Sequence, residues 1–329
     1  MEQAVQRLGY VVLGVPDLAE SVDFYASVGH LTVHDASSRS AYLGGGYDHH
    51  WLAIEESSTH RGLRRVGFEL SSAQALDEVA DRLAERRIPH EEIGDLDGDG
   101  IDRGLRFTDP DGVQVDVYTD MLSRAVKPTQ DVVRMTEMLH AVWFSADPVA
   151  AHAFYAEVLG FRASDWIKRN AVFLRARNNY HHSLGIFRSS PARSGQLDHF
   201  CILVESIDDV MRGRNIALRR GASLQKDVLR HAASGSISVY IADPATGISF
   251  EFCAEHDIVA PDHRPRLLEA SPITRDVWQA GSPGLAKVAP LGATAEAPLA
   301  AAAGVSSAGA PAGAGSEEAR VADLANSLA

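Results

Sequence analysis

Residues 8–29 read LGYVVLGVPDLAESVDFYASVG, and residues 139–160 read LHAVWFSADPVAAHAFYAEVLG. Each is an apolar strand, a Pro-Asp or Asp-Pro corner, and an amphipathic helix that carries Phe-Tyr-Ala and ends at a glycine. The likeness continues downstream. Gly46-Tyr47-Asp48-His49-His50 has its counterpart in Asn179-Tyr180-His181-His182, and the run from Phe107-Thr108-Asp109-Pro110 to Asp116 in that from Ile241-Ala242-Asp243-Pro244 to Glu251. Similar segments in the same order, offset by about 130 residues, indicate a duplicated unit.

Each half divides again. RVGFEL at 65–70 precedes a helical stretch at 73–86, and HFCILV at 199–204 precedes another at 207–220. Further strands are expected at 105–107, 113–118, 237–241 and 248–252. The expected class is therefore α+β: four strand-helix-strand-strand-strand modules paired into two domains. One module cannot cover its own sheet, so each pair should close into an open mixed β-barrel around a cavity. The boundaries fall at 1–130 for the first duplicate and 131–282 for the second. Residues 283–329 hold 17 alanines in 47 positions and no aromatic, too little to offset ordering entropy, and are read as a tail without chemistry.

Composition narrows the function. Thirty-one basic against 44 acidic side chains give a net charge of −13, which disfavours nucleic acid as a partner. No apolar run reaches the ~18 residues of a membrane span. The opening MEQAVQRLGYVVLGV has no small-residue cleavage site, and two cysteines make no disulfide framework. A cytoplasmic protein is expected.

Fourteen histidines need sorting by position. His140 lies in the strand 139–144, His199 opens the equivalent strand of the next module 59 residues later, and Glu251 sits between Phe250 and Phe252. A carboxylate on an apolar strand costs several kcal/mol to bury unpaired, so it calls for a cation or a donor. Two imidazoles and one carboxylate on separate strands facing one cavity form a facial metal triad, a set suited to Fe(II) with open coordination positions. The same places in the first half read as Gly9, Arg65 and Asp116, which predicts a metal in the second half only. Val142, two residues from His140 on the same strand face, is expected in the pocket wall. Cys201 and Cys253 share the ligands' face and are read as small buried hydrophobes.

Taken together, the order His140, His199, Glu251, the segment Tyr180-His181-His182-Ser183, and His231 followed by Val239-Tyr240-Ile241-Ala242-Asp243-Pro244 resemble the two-domain type I extradiol ring-cleaving dioxygenases of the vicinal oxygen chelate superfamily. The resemblance covers roughly residues 5–260. It implies Fe(II), in some members Mn(II), bound in the second half; a small catecholic substrate and O2 as partners; and a homo-oligomer. It implies cleavage next to the diol, with both oxygen atoms entering a 2-hydroxymuconate-type product. It assigns His182 as the acid/base near the metal, and gives Tyr240 and His231 to the substrate oxygens. Two departures stand out: Asp243-Pro244-Ala245-Thr246-Gly247 is one residue longer than the family turn, and Leu229 precedes His231 where another residue type is usual. Lys226, Arg230 and Arg275 are candidates for meeting a substrate carboxylate, and the choice among substituted catechols stays open. The competing readings are another metalloenzyme of the superfamily, an isomerase or lyase, and a non-catalytic protein that binds aromatic ligands.

Overall fold

A computed structural model describes residues 3–129 and 131–279. The boundary residue 130 and the expected tail at 283–329 lie outside the described residues.

The first module is β1 (Val5–Val15), α1 (Leu18–Ser27), β2 (Thr32–Ala36), β3 (Ser40–Gly44) and β4 (Leu52–Glu56); the second is β5 (Gly62–Leu70), α2 (Ala73–Glu85), β6 (His90–Asp95), β7 (Ile101–Thr108) and β8 (Gln114–Met121). The third is β9 (Met135–Ser145), α3 (Pro148–Leu159), β10 (Arg162–Ile167), β11 (Ala171–Arg175) and β12 (Leu184–Arg188). The fourth is β13 (Leu197–Val204), α4 (Ile207–Arg219), β14 (Leu224–Arg230), β15 (Ile237–Ala242) and β16 (Ser249–Ala254), and a short β17 (Arg266–Leu268) follows. The corners work as their residues require. Asp17, Ser72, Asp147 and Ser206 each cap a helix N-terminus by accepting a backbone N–H. Gly160 ends α3 in the left-handed region, at φ +74°.

Two sheets result, ordered β2-β3-β4-β1-β5-β8-β7-β6 and β14-β15-β16-β13-β9-β12-β11-β10-β17. In each, two modules join through one antiparallel pair, β1 with β5 or β9 with β13. Along β16, Phe250 and Phe252 enter the core shared by both halves while Glu251 and Cys253 face the other way.

Strand register corrects the alignment of the halves. Val11 pairs with Leu52 as Ala141 pairs with Leu184, and the capping residues Asp17 and Asp147 stand 130 apart. Tyr10, not Gly9, therefore occupies the place of His140. Matching Leu8 to Leu139 is one residue out of step, and one step along a strand exchanges its faces. Gly9 instead makes room for a neighbouring ring. A Cβ there would come within 1.8 Å of the Tyr118 hydroxyl, as one at Gly67 would come within 2.1 Å of the Tyr10 ring. Tyr10 and Tyr118 thus fill the space that is a cavity in the second half.

The halves are locked by a reciprocal pair of buried hydrogen bonds. Tyr25 of α1 donates to Asp243 at 3.1 Å, and Tyr155 of α3 donates to Asp109 at 2.8 Å. These are the tyrosines of the two Phe-Tyr-Ala motifs and the aspartates of the two Asp-Pro turns, so the duplication is stitched across its own pseudo-twofold relation. Burial raises Asp109 to about 6 against the bonds it accepts from Tyr155 and backbone amides. A raised carboxyl favours the folded state while protonated: its contribution is present below the ordinary value of 3.8 and is lost as pH climbs through about 6. Tyr25→Phe and Tyr155→Phe should each lower unfolding free energy in urea by about 1–3 kcal/mol. Asp109→Asn should flatten the stability slope between pH 4 and 6.

Candidate metal centre

Register on three neighbouring strands creates the site. Cys201 pairs with His140 across the antiparallel β9–β13 contact and with Glu251 across the parallel β13–β16 contact. His199, two residues earlier on β13, points to the same face. The three side chains converge: His140 Nε2 lies 3.0 Å from Glu251 Oε2 and 3.3 Å from His199 Nε2, and His199 Nε2 lies 3.3 Å from Glu251 Oε2. All three residues are buried. The longer turn before β16 does not disturb this. Its extra residue is taken up at Gly247, with φ +76°, while Asp243 accepts from the amide of Ala245 and the hydroxyl of Thr246.

This triangle fits a metal ion. Ligand bonds of about 2.1 Å meeting at right angles place neighbouring donor atoms ~3.0 Å apart. Glu251 Oε1 is buried without a hydrogen bond, so neutral donors do not account for the carboxylate. His199 is oriented from behind, its Nδ1 being 2.6 Å from Asp198 Oδ2, the carboxylate–histidine arrangement that fixes a ligand's tautomer. Burial opposes charge on every member. Contacts with His140 and His199 outweigh it and hold Glu251 well below the usual carboxylate range, while Asp198 and Glu251 outweigh it to raise His199.

The equivalent place in the first half is closed to a metal. Asp116 accepts from Tyr10 at 2.7 Å and from Arg106 at 2.7 and 2.8 Å, and Arg65 Nε stands 3.7 Å away. Two arginines neutralise the carboxylate that faces imidazoles in the duplicate.

A cavity with about 610 Å³ of empty space opens beside the triangle. Val142, Ile167, Phe173 and Phe187 give it an apolar wall, and His182, His231 and Tyr240 line it too. His231 Nε2 lies 2.8 Å from the Tyr240 hydroxyl, and burial pushes His231 down to about 4. The His182 ring packs 4.2 Å from that of His140, and burial lowers it well below the ordinary histidine value. Of the three candidate cations, Lys226 and Arg275 line the cavity; Arg230 does not, and pairs with Glu255 at 3.1 Å. Lys226 lies over the Tyr240 ring, 4.5 Å from its centroid. Burial lowers Lys226, and among the described residues neither it nor Arg275 forms an ion pair with a carboxylate. Cys201 and Cys253 are fully buried beside Glu251, and burial raises both thiols, which keeps them neutral.

Sequence reasoning missed His256. Its ring lies 4.8 Å from that of His182 and 5.6 Å from that of His140, and both its nitrogens are buried without a hydrogen bond. It is brought there by a left-handed residue, Glu255 at φ +58°, which strand periodicity does not reveal. Asp165, Arg266 and Asp198 were also missed, the first two because only tertiary contact joins them to the site.

The family model described as Glyoxalase/Bleomycin resistance protein/Dioxygenase superfamily matches residues 7–117 and 137–252. An iron-dependent extradiol dioxygenase of Rhodococcus jostii (strain RHA1) is 29% identical over 216 residues, covering 60% of this chain and 71% of that protein. A metapyrocatechase of Pseudomonas sp. (strain CF600) is 23% identical over 289 residues, covering 80% and 91%. Among solved structures, a Mn(II)-bound glyoxalase from Novosphingobium aromaticivorans superposes with a TM-score of 0.76 at 24% identity, covering 85% of this chain and 93% of that one, a likeness of fold.

Glu251→Gln should abolish tight binding of a divalent cation in a chelator competition. Asp198→Ala, which frees the His199 ring, should weaken it about 10–100-fold with the fold intact by circular dichroism.

Proposed function

The chain belongs to the Glyoxalase/Bleomycin resistance protein/Dioxygenase superfamily, and from that premise we propose that it is an Fe(II)-dependent extradiol dioxygenase that cleaves a catechol next to its vicinal diol. The observation that carries this is the donor triangle of His140, His199 and Glu251, present in one duplicate only and bordered by His182, His231 and Tyr240. Relatives named as extradiol dioxygenases, one of them iron-dependent, support the reaction and the metal; Mn(II) is compatible with the same donors.

His140, His199 and Glu251 would hold the iron, which supplies Lewis acidity and the one-electron chemistry needed to join a diol to dioxygen. The remaining work falls to the chain. Val142 and Phe173 shape an apolar wall against the ring and exclude water. His182, neutral and buried, takes a hydroxyl proton from the diol and returns one as the ring opens. With His231 Nε2–H donating to the Tyr240 oxygen at 2.8 Å, the Tyr240 hydroxyl proton would be left to hold an ionised substrate oxygen. One C–C bond of the ring breaks, and both atoms of O2 enter the product.

The same cavity bears on the substrate. Among the described residues, Lys226 and Arg275 bring two positive charges to it without an ion-paired carboxylate, and burial disfavours the charge on Lys226. A catechol with an acidic side chain would relieve both conditions. The reading carries with it a metal-free domain at 1–130, a catalytic domain at 131–282, and a cytoplasmic homo-oligomer acting on small molecules. The net charge of −13 is the argument against nucleic acid, and no helix among the described residues is long and apolar enough to cross a membrane.

The test is anaerobic Fe(II) loading, then catechol and air, followed by oxygen uptake and the yellow ring-opened product. Uptake without that product would overturn the reading. His199→Ala should lose the iron, whereas His182→Asn should keep it and turn over at least ~100-fold more slowly. Lys226→Met should raise KM about tenfold for 3,4-dihydroxyphenyl carboxylic acids and leave unsubstituted catechol unchanged.

A further inference from the structure

Behind His182 runs a line of buried groups outside the donor triangle. Asp165 on β10 is fully buried. Its Oδ1 accepts from the side chain of Arg266 at 2.8 Å and from the Arg266 amide at 3.1 Å, and its Oδ2 lies 2.9 Å from His181 Nε2. His181 Nδ1 in turn lies 3.0 Å from His182 Nδ1. Arg266 pairs with Asp165 and offsets its charge beside His181, which is wholly buried, so an imidazolium there would be costly. Burial accordingly lowers His181 despite its bond to Asp165.

The proton positions follow by elimination. An ionised carboxylate only accepts, so the single ring proton of His181 lies on Nε2. That leaves a lone pair on His181 Nδ1. A neighbouring nitrogen at 3.0 Å must then donate, which puts the proton of His182 on its Nδ1. The other nitrogen of His182, Nε2, makes no hydrogen bond among the described residues, and the residue lines the cavity. We propose that Asp165 and His181 are positioning residues that lock His182 as its Nδ1–H tautomer and so present Nε2 to the substrate as a bare base.

The first half supplies a control. His49 and His50 repeat the Nδ1–Nδ1 contact at 3.0 Å, and Asp35 sits on β2 where Asp165 sits on β10, each just after a register shift. Yet Asp35 is exposed, and its Oδ1 accepts from the amide of Ala36. The histidine pair is inherited by both duplicates. The carboxylate that sets its direction is engaged only where the donor triangle is present.

The inference rests on the proposed function for the use made of the base, while the tautomer is measurable without it. In the full-length chain carrying diamagnetic Zn(II), nitrogen-15 spectra of labelled histidines should place the His182 proton on Nδ1; finding it on Nε2 overturns the proposal. In the iron-loaded enzyme, His181→Phe removes the acceptor and should lower kcat about 10–100-fold with KM and iron content unchanged. His181→Asn, whose Oδ1 can take the place of the lost Nδ1, should keep kcat within about threefold. Wild-type kcat in the Phe variant, or equal losses in both variants, would falsify it. If the Phe variant fails to fold, the wild-type spectrum and the Asn variant still decide. A wild-type chain that cleaves no catechol defeats the proposed function and leaves the spectroscopic result to stand or fall alone.

Discussion

Glu251 sets the terms for the second half of this molecule. Its carboxylate is carried by the sequence Phe250-Glu251-Phe252 into the interior, fully buried on the face opposite the aromatic core. An uncompensated charge there would cost several kcal/mol, a large share of the stability of any domain. The sheet is arranged so that the cost is met. Antiparallel pairing of β9 with β13 and parallel pairing of β13 with β16 set Glu251 and His140 on either side of Cys201, and His199 follows two residues along. A slip of one residue in either pairing would turn a donor to the other face.

The first half meets the same demand differently. Asp116 stands at the place of Glu251, equally buried, with two arginines in the role the imidazoles play in the duplicate. Tyr10 and Tyr118 occupy the space beside it, and two glycines make room for their rings. A filled barrel neutralised by fixed cations is a finished interior. One lined by imidazoles around a buried carboxylate is unfinished until a cation arrives. From a common scaffold, the exchange of Tyr10, Arg65 and Asp116 for His140, His199 and Glu251 separates a filled interior from the proposed metal site. The reciprocal Tyr25–Asp243 and Tyr155–Asp109 bonds hold the two together.

Much of this was legible from residue order because duplication doubles every local signal. Strand-helix corners, Asp-Pro turns and the His-His pair each occur twice, and a residue type present in only one copy stands out. That contrast singled out His140, His199 and Glu251. The same method misplaced Gly9, because a match on the strand's leucine is one residue out of step with the helix caps, and local similarity does not resolve such a slip. His256, Asp165 and Arg266 were invisible for another reason. His256 and Arg266 reach the site from the chain past β16 and Asp165 from β10, one strand in from the sheet edge, and no periodicity links them to it. Lys226 and Arg230, four apart on β14, could be separated only by their neighbours: one lies over an aromatic ring, the other is paired with Glu255.

The cavity has a direction as well as a shape. The donor triangle and the cavity-lining ring of His182 define one pole, where the proposed function would seat two substrate oxygens. Tyr240 reaches from that pole toward Lys226, its ring edge-on to His199 at 5.0 Å on one side and under the ammonium at 4.5 Å on the other. On the proposed function, a ring docked by its diol would have an acidic substituent drawn to Lys226 over Tyr240 and not to Ile167, Phe173 and Phe187. Charge on one side and oily surface on the other would then decide which carbon beside the diol faces His182. Regiochemistry would then follow from the same two features that receive the substrate: a cation without an ion-paired carboxylate among the described residues, and a wall that tolerates no charge.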